Sequence, residues 1–142
     1  MIISEMTRRR RRRMEKRDSF RELLGIKVLE IKDGYARMSL TITKEHTNLH
    51  GLTHGGIVFA LADCAFAEAT NFGDNKAVAV QVSINFVKPS GEGDVLTAEA
   101  SRVSEGRTFS LYNVTVTKEN KVLALFTGLA YKLQSEKEKG SA

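Results

Sequence analysis

Between Asn48 and Asp63 the chain concentrates residue types that do chemistry: an amide at Asn48, imidazoles at His50 and His54, a glycine pair at Gly55 and Gly56, and a carboxylate at Asp63. The glycines directly precede an apolar, alanine-rich run, Ile57 to Asn71, that is too long for a typical strand and reads as a buried helix. Their backbone N–H groups then fall among the unpaired donors at the helix's positive end, where an oxyanion developing on a carbonyl is stabilised. Glycine also lets that carbonyl come close to the backbone. Asp63 sits inside the run among Ala60, Leu61, Ala62, Cys64, Ala65 and Phe66. Burying a carboxylate among such neighbours without a task is costly. The structural alternatives are a polar stripe shared with Thr70 or a partner for a core arginine.

Two other chemistries are weaker. His46, His50 and His54 stand four apart, a spacing that would line one helix face and ligate zinc. Gly51 and the Gly55-Gly56 pair break that helix, so no metal is expected. Cys64 is the only cysteine, which excludes an intramolecular disulfide and a cysteine zinc site and points to a reducing cytoplasm. With no base at suitable spacing it reads as a small core residue rather than a nucleophile.

Several elements must position these groups. Ser19 to Glu22 has capping-box spacing, with Leu23 and Leu24 following and Gly25 as the stop, which predicts a short helix capped by Ser19. Ile26 to Ile31 and Tyr35 to Thr43 alternate around the Asp33-Gly34 turn. Ala36, Met38, Leu40 and Ile42 share one face of the second strand. A polar loop, Lys44 to Gly56, leads to the long helix. Four more alternating segments follow, Ala77 to Lys88, Val95 to Val103, Thr108 to Thr117 and Lys121 to Leu133. Their connections are too short for parallel crossovers, so a four-strand antiparallel meander is expected. One apolar helix and one sheet bury each other only if the sheet curves around the helix. An α+β single domain results. Phe59, Phe66 and Phe72 are expected in its core, and Glu68 at a pocket or a dimer contact.

The length of 142 residues fits one such domain, and 42% hydrophobic with 27% charged residues excludes disorder, collagen and coiled coil as the main class. The longest nearly apolar stretch, Ile57 to Ala67, is too short for a bilayer span of roughly 20 residues. No membrane association is expected. The net charge of +5 is unevenly placed. Residues 1–17 carry eight Lys/Arg, including Arg8 to Arg13, against Glu5 and Glu15, while the other 125 residues carry 14 Lys/Arg against 15 Asp/Glu. The basicity belongs to one arm, read as a solvated extension that Met14, an alternative start, would omit. A secretory signal is not expected, because the arginines lead into Glu15, Lys16, Arg17 and Asp18 rather than an apolar stretch. Nucleic acid is an unexpected partner, since no helix-turn-helix fits before the domain. The domain reading is a flexible arm over 1–17, a folded body over 18–134 and a polar tail over 135–142.

The order His54-Gly55-Gly56-x6-Asp63, with Asn48 six residues upstream, resembles the hotdog-fold acyl-CoA thioesterases, most closely their phenylacetate-pathway branch. The similarity runs on through LADCAFAEATN, INFVKPSGEGDVLTAEA and LALFTG, covering roughly residues 20 to 133 in order. It implies a hotdog domain of five or six antiparallel strands around one long central helix, assembled as a homodimer and a dimer of dimers. It also implies cofactor-free hydrolysis of an acyl-CoA to free acid and coenzyme A. By position, Asp63 matches the catalytic carboxylate, acting as general base or nucleophile. Gly55 matches the N–H that polarises the thioester carbonyl, and Asn48 and His54 the residues that place thioester and water, with His54 also orienting Asn48 or the loop. Phe86, Lys88, Pro89, Gly91, Ser104, Gly106 and Arg107 match the coenzyme A contacts, with Lys88 and Arg107 toward phosphate. Some members carry a water-orienting hydroxyl where Ala79 stands, which leaves water placement to Asn48 or another hydroxyl. Hotdog dehydratases also pair a His with a carboxylate, but this spacing favours hydrolysis. The alternative of a different class is a noncatalytic acyl-CoA-binding sensor. Short, medium and aromatic acyl groups are all compatible with the sequence.

Helix geometry bears on assembly. Eight residues of helix separate Gly55 from Asp63 by roughly 12 Å of rise, an awkward span for one thioester within one chain. Two antiparallel helices across a twofold axis would instead bring one subunit's Asp63 toward the other's Gly55.

Overall fold

The computed structural model describes residues 17–133; the outer part of the basic arm, 1–16, and the tail, 134–142, lie outside the described residues. Helix α1 (Ser19–Leu24) begins at Asp18, whose carboxylate accepts from the Arg21 N–H at 3.0 Å, and ends at Gly25 in the left-handed region at φ 83°. The cap is thus Asp18 and not Ser19. Asp, like Ser, serves as an N-cap, and here the carboxylate one residue earlier takes the free N–H while Gly25 closes the far end as expected.

Strands β1 (Lys27–Lys32) and β2 (Tyr35–Thr41) form the anticipated hairpin, and Ala36, Met38, Leu40 and Ile42 are all buried. A 3-10 turn (Lys44–His46) then opens the loop to helix α2 (Gly55–Thr70). Asn71 ties the end of α2 to the next strand: its Nδ2 donates to the carbonyls of Ala67 and Ala77, and its Oδ1 accepts from the Ala77 N–H. That clamp sets the start of β3 (Ala77–Phe86), after which come β4 (Val95–Glu105), β5 (Phe109–Lys118) and β6 (Lys121–Lys132).

All pairings are antiparallel, and the sheet order is β1-β2-β4-β5-β6-β3. The four later strands are therefore not one meander. β4, β5 and β6 are consecutive neighbours, but β3 pairs with β6 at the far edge. Short connections exclude a parallel crossover without requiring adjacency. Residues 87–94 can extend roughly 27 Å, more than the three strand spacings of about 4.8 Å each that separate β3 from β4. Bulges near Val28, Val80, Val103 and Thr117 bend the strands, and the sheet curves around α2.

The core lies between the two layers. From α2 it takes Val58, Leu61, Ala62, Ala65, Phe66 and Ala69; from the sheet it takes Met38, Leu40, Leu96, Val114, Val116 and Phe126 among others. Phe66 stacks edge-on against Tyr112 and tilted against Phe126, at 5.7 and 5.6 Å between centroids. A Cβ at Gly128 would lie 2.8 Å from the Phe66 ring, so glycine there lets the helix settle on β6. Phe59 packs partly buried on this core, whereas Phe72, past the helix end, stays outside it. Among the described residues no helix is long and apolar enough to cross a membrane.

Candidate active site

The start of α2 is fixed by its own loop. The backbone N–H of His54 donates to the His46 carbonyl at 2.8 Å, and the buried His46 accepts the Thr43 N–H on Nδ1 at 3.0 Å. His54 is the N-cap: its Nδ1 accepts the Gly56 N–H at 2.9 Å, so the imidazole presents its remaining ring nitrogen outward. This changes the expectation for the glycine pair. The Gly56 donor is consumed by the cap, while the Gly55 N–H has no protein acceptor among the described residues. One oriented donor, not two, is left at the positive end of a 16-residue helix.

Phe86 lies against this donor. A Cβ at Gly55 would come 3.4 to 3.8 Å from its ring, so the end of β3 walls one side of the Gly55 backbone. Asn48 folds back on its loop, its Oδ1 accepting the N–H groups of His50 at 2.9 Å and Leu52 at 3.2 Å. Of the two roles expected for His54, orienting Asn48 or orienting the loop, the bond to Asn48 is not made, since the loop backbone holds that amide. As N-cap of α2 and donor to the His46 carbonyl, His54 instead fixes the end of the loop.

Asp63 is half-buried, and its carboxylate has no hydrogen-bond or ion-pair partner among the described residues. Neither structural alternative holds for it. Thr70 is buried and satisfied by the carbonyls of Phe66 and Ala67, and the nearby arginine, Arg21, pairs with Glu68 at 3.0 Å. Burial first, and then the negative Asp18 nearby, hold the Asp63 carboxyl above the ordinary aspartate range. Glu68, expected at the acyl pocket or a dimer contact, bridges α2 to α1 through Arg21. Burial pushes the Cys64 thiol up to about 12, which makes it a poor nucleophile.

The matched coenzyme A residues fall into two groups. Phe86, Lys88, Pro89 and Gly91 lie on the β3 end and the crossover, beside the loop before α2: Leu52 and Gly91 bridge, and Thr53 donates its N–H to the Ser90 carbonyl at 2.9 Å. Lys88 is exposed. The crossover is pinned further by Asp94, which accepts from the Gly91 N–H and from Lys118 at 2.8 Å each; the Lys118 contact holds its carboxyl below the usual range. Ser104, Gly106 and Arg107 lie at the other end of the sheet. Phe86 is level with Ala124 and Phe109 with Tyr131 on β6, seven residues and roughly 23 Å apart. Within one chain the structure does not bring the two groups together.

Sequence reasoning missed the Thr53–Ser90 contacts, the Asp18 neighbour of Asp63 and the Arg21–Glu68 pair. No local pattern marks Thr53 or Ser90, whereas Asp18 could have been found as an acidic residue ahead of a helix. The three histidines do not share a helix face, since α2 begins only at Gly55; among the described residues no three metal-ligating side chains gather.

A curved antiparallel sheet around one helix, with a lone N–H at the helix start and a carboxylate inside it, defines a class, and sequence comparison gives the same one. The profile of the thioesterase superfamily matches residues 50–125, and the chain belongs to that superfamily, with the hotdog fold. The acyl-coenzyme A thioesterase PaaI of Escherichia coli is 36% identical over 121 residues, 84% of this chain and 86% of that protein. The structure of the E. coli PaaI protein from the phenylacetic acid degradation operon superposes with a TM-score of 0.85 over 94% of this chain and 98% of its own, at 32% identity. A variant of the phenylacetic acid degradation protein PaaI of Thermus thermophilus is 40% identical, with a TM-score of 0.80 over 82% and 100% of the two chains. A Streptococcus mutans protein solved with acetyl-CoA bound is 26% identical, with a TM-score of 0.74 over 78% and 90%.

Proposed function

We propose that this chain hydrolyses acyl-CoA thioesters to the free acid and coenzyme A, with Gly55 and Asp63 as the reacting pair. The observation that carries the reading is the sorting of the two glycine donors: His54 occupies the Gly56 N–H and leaves the Gly55 N–H for a substrate carbonyl. A carbonyl oxygen bound there faces a fixed dipole that strengthens as negative charge develops. Asp63, without a partner among the described residues, then takes a proton from water as general base or attacks the thioester carbon itself. Asn48, with both Oδ1 bonds committed to its loop, directs its Nδ2 hydrogens to water or thioester. The acyl-CoA-bound and acyl-CoA-hydrolysing relatives support the substrate class. The experiment is a panel of short, medium and aromatic acyl-CoAs read by free-thiol release; absence of turnover with binding retained would favour a noncatalytic sensor.

The proposal includes a homodimer. β3 is an edge strand of ten residues with no charge and no proline, and Val78 and Val80 on it are about half exposed. Such an edge is a template for another strand. Antiparallel pairing of two β3 strands across a twofold axis sets the Phe86 end of one chain beside the Ala77 end of its partner. The partner's Ala77 end neighbours its Lys132 and, beyond that, its β4–β5 turn. Ser104, Gly106 and Arg107 of the partner subunit thereby approach Phe86, Lys88, Pro89 and Gly91, reuniting the coenzyme A contacts. The same axis shares each site between one Gly55 and the partner subunit's Asp63. Mixing Asp63→Asn chains with chains blocked at Gly55 should restore activity on subunit exchange; exchange without recovery would sink the shared site. A dimer of dimers and a cytoplasmic setting, the latter on the single buried thiol, complete the reading. The arm over 1–17 takes no part in turnover, so deleting residues 1–13 should leave rates within about twofold at moderate salt, where exposed charges are screened.

A further inference from the structure

We propose that the hydroxyl pair of Thr53 and Ser90 is the positioning element of the oxyanion donor. Ser90 Oγ donates to Thr53 Oγ1 at 2.7 Å, and both residues are buried, at 8% and 9% exposure. It is the one side-chain to side-chain hydrogen bond among the described residues in which both partners are buried. The same two residues are joined a second time by the Thr53 N–H to the Ser90 carbonyl at 2.9 Å. A single backbone bond leaves a loop segment free to roll about it. A second bond between the same residues, made by side chains, blocks that roll.

The roll would move the donor. Thr53 is two residues before Gly55, and the His54–Gly55 peptide carries the free N–H. On its other side Thr53 bridges to Thr47, and His54 is held by the His46 carbonyl. The loop is thus clamped between the His46 turn and the connection over 87–94, and the hydroxyl pair is the side-chain half of the clamp to that connection. An oxyanion donor must hold its direction within about 10–20°. Because the two hydroxyls are buried and used on each other, they act through Gly55 and not on the substrate. The crossover also carries Lys88, Pro89 and Gly91, so the element that holds the donor is continuous with the one proposed to hold coenzyme A.

This inference rests on Gly55 being the donor of the proposed hydrolysis. The test is the double variant Thr53→Val/Ser90→Ala. It removes both hydroxyls and leaves no buried donor without an acceptor, so folding and assembly should stay near wild type, unlike Thr53→Val alone, which strands the Ser90 hydroxyl. For an acyl-CoA turned over by wild type, kcat of the double variant should fall roughly tenfold with KM within about twofold. Thr53→Ser should keep both kcat and stability. Ser90→Ala alone serves if the double variant does not fold, with the same expected loss of kcat. Wild-type kcat in a folded double or Ser90→Ala variant overturns the proposal, as does a loss confined to KM. Asp63→Asn run alongside separates the two readings: if it abolishes hydrolysis while the double variant keeps full kcat, only the positioning role fails. If Asp63→Asn is fully active, the proposed site itself fails.

Discussion

The two ends of the proposed reaction are built in opposite ways. At the start of α2 almost every polar group is spoken for: His46, Asn48, Thr53, His54, Gly56 and Ser90 are bonded to one another or to the loop. One N–H remains. Two turns along the same helix Asp63 has no partner at all among the described residues, a hydrophobic setting and a negative neighbour. The difference fits the task proposed for each group. A donor is useful when its direction is fixed before charge develops. A base is useful when its proton affinity is raised and its lone pairs are free.

The largest way to break this comparison is to remove the base. Asp63→Asn keeps size and hydrogen-bonding capacity, and hydrolysis should fall by at least the roughly hundredfold typical of losing a general base, with circular dichroism and assembly unchanged. Near-normal turnover would show that the unpartnered carboxylate is a bystander. At the other end, Gly55→Val leaves the N–H in place but puts side-chain atoms where the Phe86 ring and a substrate carbonyl meet the backbone. Turnover should fall roughly tenfold or more, since the carbonyl no longer reaches the donor. If Gly55→Val is as active as wild type, the carbonyl binds elsewhere.

These contrasts were unequally legible in the sequence. The alternation at Ala36, Met38, Leu40 and Ile42 gave the buried face of β2 because one-sided burial has a period of two that local residues alone determine. Gly55 and Asp63 stand out as candidates because a glycine pair before an apolar helix and a carboxylate inside one are both local anomalies. The order of the strands was not legible in the same way. Whether β3 joins β4 or β6 depends on pairing between residues far apart in sequence, from Phe86 with Ala124 to Ala77 with Lys132, and the alternating pattern of β3 is the same in either place. Likewise nothing in the type of either glycine says which N–H a histidine will cap. The cap of α1 moved from Ser19 to Asp18 for a smaller reason, since two good caps stand side by side.

A third prediction concerns stability. Between the unfolded and the higher folded pKa of Asp63, the folded chain binds more protons than the unfolded one, so ionising this group weakens the fold as pH rises through that window. Asp63→Asn should therefore raise the thermal midpoint at neutral pH and lose that advantage below the ordinary aspartate range. Asp18→Asn, which still caps α1, removes the negative neighbour. It should lower the pH of the acid limb of kcat/KM. An equal midpoint at neutral pH would show that Asp63 is solvated rather than held in a costly setting, and an acid limb indifferent to Asp18 that this neighbour's charge does not reach it.

The smallest expected effect sharpens the other end. His54 acts as an acceptor for the Gly56 N–H, a task that an asparagine side chain also performs at an N-cap. If capping is its main role, His54→Asn should stay within about threefold of wild-type turnover and close to wild-type stability. His54→Ala should cost about 1 kcal/mol, the usual loss for a missing cap, and should free the Gly56 N–H as a second donor beside Gly55. Two donors that are not held are worth less than one that is, because the helix start frays and the direction of each N–H spreads. His54→Ala should accordingly turn over more slowly than His54→Asn, by a few fold. The order is the measurement that matters. If alanine and asparagine lose activity equally and by more than tenfold, the imidazole itself touches the reacting atoms, and the helix start is not the purely backbone device that its hydrogen bonds describe.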